Sequence, residues 1–164
     1  MYEPYTVTVV CTGNICRSPI AEVLLREAFS ETGLDDRVQV DSAGTGDWHL
    51  GHDMDHRARA VLEGAGHSFP VHSARQFQAE AFTDSDLILA ADVGHYRDLV
   101  AMAPDEQAAE RVHLFRSFDE QARVDEDLNL ADPYYGDERD FTLTYQAVTA
   151  AVPGVVEYVR GQLP

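Results

Sequence analysis

The chain has 164 residues and a formal net charge of -17, from 29 acidic residues against 12 basic ones. That length suits one domain with a full core, and so acidic a field argues against nucleic acid and anionic membrane surfaces as partners. All twelve basic residues are arginine, which excludes a lysine-ended nucleotide loop and lysine Schiff-base chemistry.

The N-terminal stretch MYEPYTVTVV has no basic segment followed by a long apolar one, so it does not read as a secretory signal. No apolar run approaches the length of a membrane span. The two cysteines, Cys11 and Cys16, are too few for a disulfide scaffold or a four-thiolate zinc site. A reducing, cytoplasmic setting is expected.

Residues 5–10 (YTVTVV) are β-branched and apolar between Pro4 and Gly13, which predicts a buried strand. The turn CTGNICRS (11–18) follows, and its cysteines admit four readings: a disulfide, half of a metal site, small buried hydrophobes, or a nucleophile and its neighbour. From Pro19 to about Glu31, Ile20, Val23, Leu24 and Ala28 share one helical face, with Gly33 past the end. RVQVDSAG (37–44) predicts a second strand, DHRARAVLEGAG (55–66) a helix, SDLILAA (85–91) a third strand, and HYRDLVAMA (95–103) a helix stopped by Pro104. RVHLF (111–115) predicts a fourth strand, and residues 140–163 a helix interrupted at Pro153-Gly154. Alternating strands and helices predict an α/β fold, a four-stranded parallel sheet with helices on both faces and a phosphate-binding loop after strand 1. Ligands of such sheets bind beyond the carboxyl ends of the strands. Cys11, Ser42 and Asp92 are each expected just after a strand.

The turn at 11–18 carries chemistry. Backbone N–H groups at a helix start have no intrahelical partner, and with the helix dipole they form an anion site. Gly13 and Asn14 tolerate the left-handed geometry that turns N–H groups inward. Arg17 adds a planar fork for two phosphate oxygens. Cys11, at the base of this positive concavity, would be held as a thiolate aimed at phosphorus.

The motif Cys-x5-Arg-Ser within VCTGNICRSPIAE resembles the signature loop of the low-molecular-weight protein tyrosine phosphatases. DSAGTGDWH (41–49), HSARQF (72–77) and DPYYGD (132–137) resemble further segments of that family, in order and across nearly the whole chain. The resemblance implies one phosphatase domain over residues 1–164, and a protein tyrosine phosphatase working through a cysteinyl-phosphate without metal or other cofactor. It implies Cys11 as nucleophile, Arg17 and the loop (Thr12, Gly13, Asn14, Ile15, Cys16, Ser18) as the phosphate cradle, and Asp132 as general acid and then base. Ser18 would hydrogen-bond the thiolate, Asn14, Ser42 and His72 would hold the loop in shape, and Trp48, Tyr134 and Tyr135 would wall the substrate pocket.

Two positions depart from the pattern. Thr12 stands where many relatives carry leucine. Asp92 is kept, but His95 stands three residues later in place of an asparagine. Other readings on the same loop are an arsenate reductase, which needs downstream cysteines absent after Cys16, and a phosphoarginine phosphatase, which carries threonine where this chain has Ile15. A non-catalytic phosphotyrosine-binding module is a third, but Cys11, Arg17 and Asp132 are all present. His52 and His56 beside Asp53 and Asp55 read as a solvated helix start rather than a metal site. The expected partners are phosphotyrosine-containing proteins, with basic flanks favoured by the negative field. Tyr134 and Tyr135 are candidate targets of a tyrosine kinase, and a monomer is expected. Cys16 lies close enough in sequence to trap an oxidised Cys11 as a reversible disulfide.

Overall fold

The computed structural model describes residues 3–164. Four parallel strands, β1 (Tyr5–Cys11), β2 (Val38–Gly44), β3 (Leu87–Ala90) and β4 (Val112–Leu114), line up in the order β2-β1-β3-β4. Between and after them run α1 (Arg17–Glu31), α2 (His56–Gly64), α3 (Val93–Met102), α4 (Glu106–Ala109), α5 (Glu120–Val124) and α6 (Glu138–Gln162). The alternation expected from the sequence is present.

β1 has side chains on two cores because successive strand residues face opposite ways. Val7, Val9 and Cys11 pack with α1 and α6 through Ile20, Leu24, Val152 and Val155, whereas Val10 packs with Phe77, Ile88 and Leu99 on the other face. Thr8, fully buried, is satisfied by Asp41 Oδ1 at 2.6 Å and Ser85 Oγ at 2.8 Å. Chain order runs from β1 to β2 on one side and then to β3 on the other. The crevice between the carboxyl ends of β1 and β3 is therefore the point where the connections diverge, and there a ligand has room.

Two expectations need correction. Helix α6 is not interrupted at Pro153-Gly154 but continues through both residues. Pro153 is exposed, so the carbonyl that loses its bond to the missing N–H lies on the wet face. Gly154 faces inward, and a Cβ there would sit 2.9 Å from the carbonyl carbon of Phe118, so the helix can pass only without a side chain. Ser42 lies within β2 rather than after it, because β2 stays paired with β1 as far as the Cys11–Gly44 register.

Candidate active site

Each of α2 to α6 begins at an aspartate whose carboxylate accepts a backbone N–H of the first turn: Asp55, Asp92, Asp105, Asp119 and Asp137. Helix α1 is different. Its N-cap is Cys16, and no side chain caps it. The positive end of this helix is thus left open toward the loop 11–18.

That loop is built from a buried polar network. Asn14 is fully buried, with φ of 58°, the left-handed region that asparagine tolerates better than most residues. Its Nδ2 donates to Ser18 Oγ at 2.8 Å and Ser42 Oγ at 2.9 Å, and its Oδ1 accepts from Arg75 N–H at 3.0 Å. Its carbonyl accepts from His72 Nε2 at 2.6 Å. Ser42 in turn donates to Glu22 Oε1 at 2.8 Å. Asn14, Ser42 and His72 therefore meet in one place, with Glu22 and Arg75 added to those expected from the sequence.

The network also decides a proton. Ser18 Oγ lies 3.0 Å from Cys11 Sγ. Because Ser18 Oγ already accepts from Asn14 Nδ2, its own hydrogen is free to point at sulfur. That contact gives the Cys11 sulfur a hydroxyl donor. Cys16 differs: burial, with Asp55 nearby, pushes its thiol well above the ordinary range, which keeps it protonated. Both cysteines are free.

Gly13 does not use left-handed geometry, unlike Asn14. It is small for another reason, since a Cβ there would lie 2.8 Å from the His49 ring. Gly44, at the end of β2, passes under the loop so closely that a Cβ would lie 2.5 Å from Thr12 O and 3.2 Å from Asn14 N. Gly44→Ala is expected to destabilise the protein by about 1–3 kcal/mol and to cut kcat/KM by at least about tenfold, because the added methyl must displace loop backbone. Thermal unfolding with parallel kinetics on an aryl phosphate checks this.

Arg17 is 3% exposed. Its Nη1 donates to Asp92 Oδ2 and to Leu130 O, each at 2.9 Å, and its Nη2 stands 3.7 Å from Asp132 Oδ2. Burial would raise the Asp92 carboxyl, but the His95 N–H, the His95 ring and Arg17 outweigh it and hold Asp92 below its usual value. Asp132 accepts the Tyr134 N–H on Oδ1 at 3.1 Å, which leaves Oδ2 facing the site.

One cavity of about 420 Å³ is lined by Cys11, Thr12, Ile15, Arg17, Asp132 and the aromatic rim. That rim holds Trp48 and Tyr135, 70% and 91% exposed, with Tyr134 packed edge-on to Tyr135. His49, the last residue of the DSAGTGDWH segment and given no role above, also lines the cavity, its ring tilted against that of Tyr134 at 6.1 Å. Its adjacency to Trp48 was the available signal.

A second residue missed from the sequence is Arg57. Its guanidinium pairs with Asp55 at 3.0 Å, donates to Tyr134 O at 2.8 Å and Gly136 O at 3.0 Å, and lies over the Phe141 ring at 4.5 Å. Asp55 N–H donates to Ile15 O at 2.8 Å. One arginine thus ties the 132–137 loop to the 11–18 loop. Arg57→Ala is expected to lower kcat about tenfold, since the 132–137 loop loses its register, while inhibition by inorganic phosphate stays unchanged. Steady-state kinetics with phosphate as inhibitor separates the two effects. Asp53 and Asp55, considered above beside His52 and His56, are engaged by Arg59 and Arg57.

A family model described as low molecular weight phosphotyrosine protein phosphatase matches residues 6–163. The chain is 46% identical over 159 residues to a low molecular weight protein-tyrosine-phosphatase of Streptomyces coelicolor, covering 97% of this chain and 96% of that one. Among solved structures it resembles a protein tyrosine phosphatase from Entamoeba histolytica, with TM-score 0.88, 29% identity, and 97% and 99% of the two chains covered. It also resembles a Drosophila arginine phosphatase, with TM-score 0.84, 28% identity, and 93% and 96% covered.

Proposed function

The chain belongs to the low molecular weight phosphotyrosine protein phosphatase family, and on that premise we propose that it hydrolyses phosphotyrosine in proteins with the residues gathered in the cavity as its machinery. Cys11 Sγ attacks phosphorus in line as the P–O bond to the tyrosyl oxygen breaks, and Asp132 gives its proton to the departing oxygen. Arg17 and the open N–H groups at the start of α1 hold the equatorial oxygens, where transition-state charge accumulates. Asp132, now ionised, takes a proton from the water that attacks the cysteinyl-phosphate. Sulfur departs as a thiolate, stabilised by the Ser18 hydroxyl.

The observation that carries this reading is that Cys11, Arg17 and Asp132 line one cavity. The Cys11 sulfur lies 3.0 Å from the Ser18 hydroxyl, and Asp132 Oδ2 stands 3.7 Å from Arg17 Nη2. A phosphoryl group held by the arginine would have nucleophile and acid within the same cavity. The aromatic rim suits a phenyl ring, and Ile15, 8% exposed and lining the cavity, offers no hydroxyl to a phosphoramidate.

A substrate panel tests the reading. Phosphotyrosine, phosphoserine and phosphoarginine peptides are compared in the presence of a chelator, with basic and acidic flanks at low salt. Phosphotyrosine is expected to lead, by about a hundredfold or more over phosphoserine, and basic flanks are expected to be preferred. Equal or faster turnover of phosphoarginine would assign the other substrate class.

A further inference from the structure

Four side chains close a ring behind the phosphate loop. Arg17 Nη1 donates to Asp92 Oδ2 at 2.9 Å, and Arg17 Nη2 donates to Thr12 Oγ1 at 3.4 Å. Thr12 Oγ1 lies 2.7 Å from His95 Nε2, and His95 Nδ1 returns to within 3.1 Å of Asp92 Oδ1. Thr12 follows β1, and Asp92 and His95 follow β3, so the ring spans the crevice where the chain connections diverge. Two of its members, Thr12 and His95, lie 83 residues apart in sequence, and the fold brings them into contact.

The protons in this ring can be assigned. His95 is 4% exposed and faces Asp92 and Asp98 of α3, Arg17 of α1, and Asp132 of the loop before α6. Burial lowers its affinity for a proton, and Asp92 restores only part of it, so the ring is neutral at neutral pH. A neutral imidazole has one N–H. Nδ1 faces a carboxylate, which can only accept, so the hydrogen sits on Nδ1. The Nδ1–Oδ1 contact is out of line for a hydrogen bond, so what favours this tautomer is the N–H dipole facing the carboxylate. Nε2 is then an acceptor, and the Thr12 hydroxyl must donate to it. This turns the Thr12 lone pairs toward Arg17 Nη2.

The consequence falls on the guanidinium. Both hydrogens of Nη1 are committed, to Asp92 Oδ2 and Leu130 O. These bonds anchor one corner of the plane but leave it free to tilt about that corner. The Thr12 contact at Nη2 is the second anchor. On the reading of the site given above, we infer that His95, acting through Thr12, is a positioning residue that sets the plane of the Arg17 guanidinium for the phosphoryl group. Nε and the remaining hydrogen of Nη2 then form the fork offered to two phosphate oxygens.

The test uses Thr12→Val, His95→Ala, their double variant and His95→Gln. Binding of inorganic phosphate is measured by calorimetry, kinetics on an aryl phosphate are run in parallel, and thermal unfolding is recorded for each. Thr12→Val keeps shape and removes only the hydroxyl. It is expected to weaken phosphate binding and lower kcat/KM by about tenfold each, a misplacement effect. His95→Ala is expected to match it, and the double variant to be no worse than either single one. His95→Gln, which keeps an acceptor for the Thr12 hydroxyl, is expected to recover to within about threefold of wild type.

Phosphate affinity unchanged in Thr12→Val overturns the inference, and so do additive losses in the double variant or a His95→Gln protein as impaired as His95→Ala. If His95→Ala fails to fold, Thr12→Val and His95→Gln decide alone. Phosphate binding needs no turnover, so this inference can fail while the reaction stands. The reaction itself is judged separately by Cys11→Ser.

Discussion

Cys11→Ser is expected to lower turnover of an aryl phosphate by at least about ten-thousandfold while leaving phosphate binding within a few-fold of wild type. The two halves of this result have different physical origins. Binding comes from Arg17 and from the uncapped start of α1, neither of which the substitution touches. Turnover needs an anionic nucleophile at the base of the cavity, and an alcohol in that place is protonated at neutral pH. The second cysteine cannot compensate. Cys16 is buried at 4% exposure, and its thiol is pushed up by that burial and by Asp55. It also occupies the N-cap of α1, one residue before Arg17. Single-turnover kinetics and phosphate calorimetry on the same preparation check both halves. Undiminished turnover in Cys11→Ser would remove the cysteinyl-phosphate route altogether.

Asp132→Ala is expected to reduce kcat about a hundredfold to a thousandfold, the usual contribution of a positioned proton donor. The loss should depend on the leaving group. A nitrophenolate departs without much help, whereas a phenolate or tyrosyl oxygen needs the proton, so the decrease should be larger for phenyl than for 4-nitrophenyl phosphate. The geometry supports this asymmetry: Oδ1 is occupied by the Tyr134 N–H at 3.1 Å, and only Oδ2 faces the cavity. Phosphate affinity should change little, because Asp132 stands 3.7 Å from Arg17, beyond a direct hydrogen bond, and is 44% exposed. Equal losses on both substrates would assign the proton to another group.

What could be read in the sequence was local. β1 is a run of β-branched residues ending at Cys11, and the cysteine, Asn14, Arg17 and Ser18 are close enough along the chain that one turn must bring them together. Asp132, Trp48 and His72 were found through motif resemblance, since nothing in DP, DWH or HSAR states where its side chain points. The structure places them around the same loop. Connections between distant segments were illegible. The Thr12–His95 contact joins residues 83 apart in sequence, and the Arg57 bond to Tyr134 O spans 77. Arg57 also resembled any charged residue at a helix start until its two carbonyl partners were seen. The short helices α4 and α5 escaped because four or five residues are too few to show a helical period. Pro153 misled because a proline is read as a break unless its face is known, and here that face is solvent.

Asn14 commits both its amide hydrogens and accepts one bond on Oδ1 from a fully buried, left-handed position. The loop therefore gives up its conformational freedom when the chain folds, not each time a phosphoryl group arrives. A receptor set in advance has no closing motion with which to distinguish one tetrahedral oxyanion from another, so substrate, released phosphate and sulfate should compete on nearly equal terms of shape. Discrimination then belongs to the mouth rather than the floor. Engineers seeking a new substrate should vary the exposed aromatics Trp48 and Tyr135, and those seeking a sturdier protein should begin at exposed apolar positions remote from the loop, such as Val124 at 70% exposure.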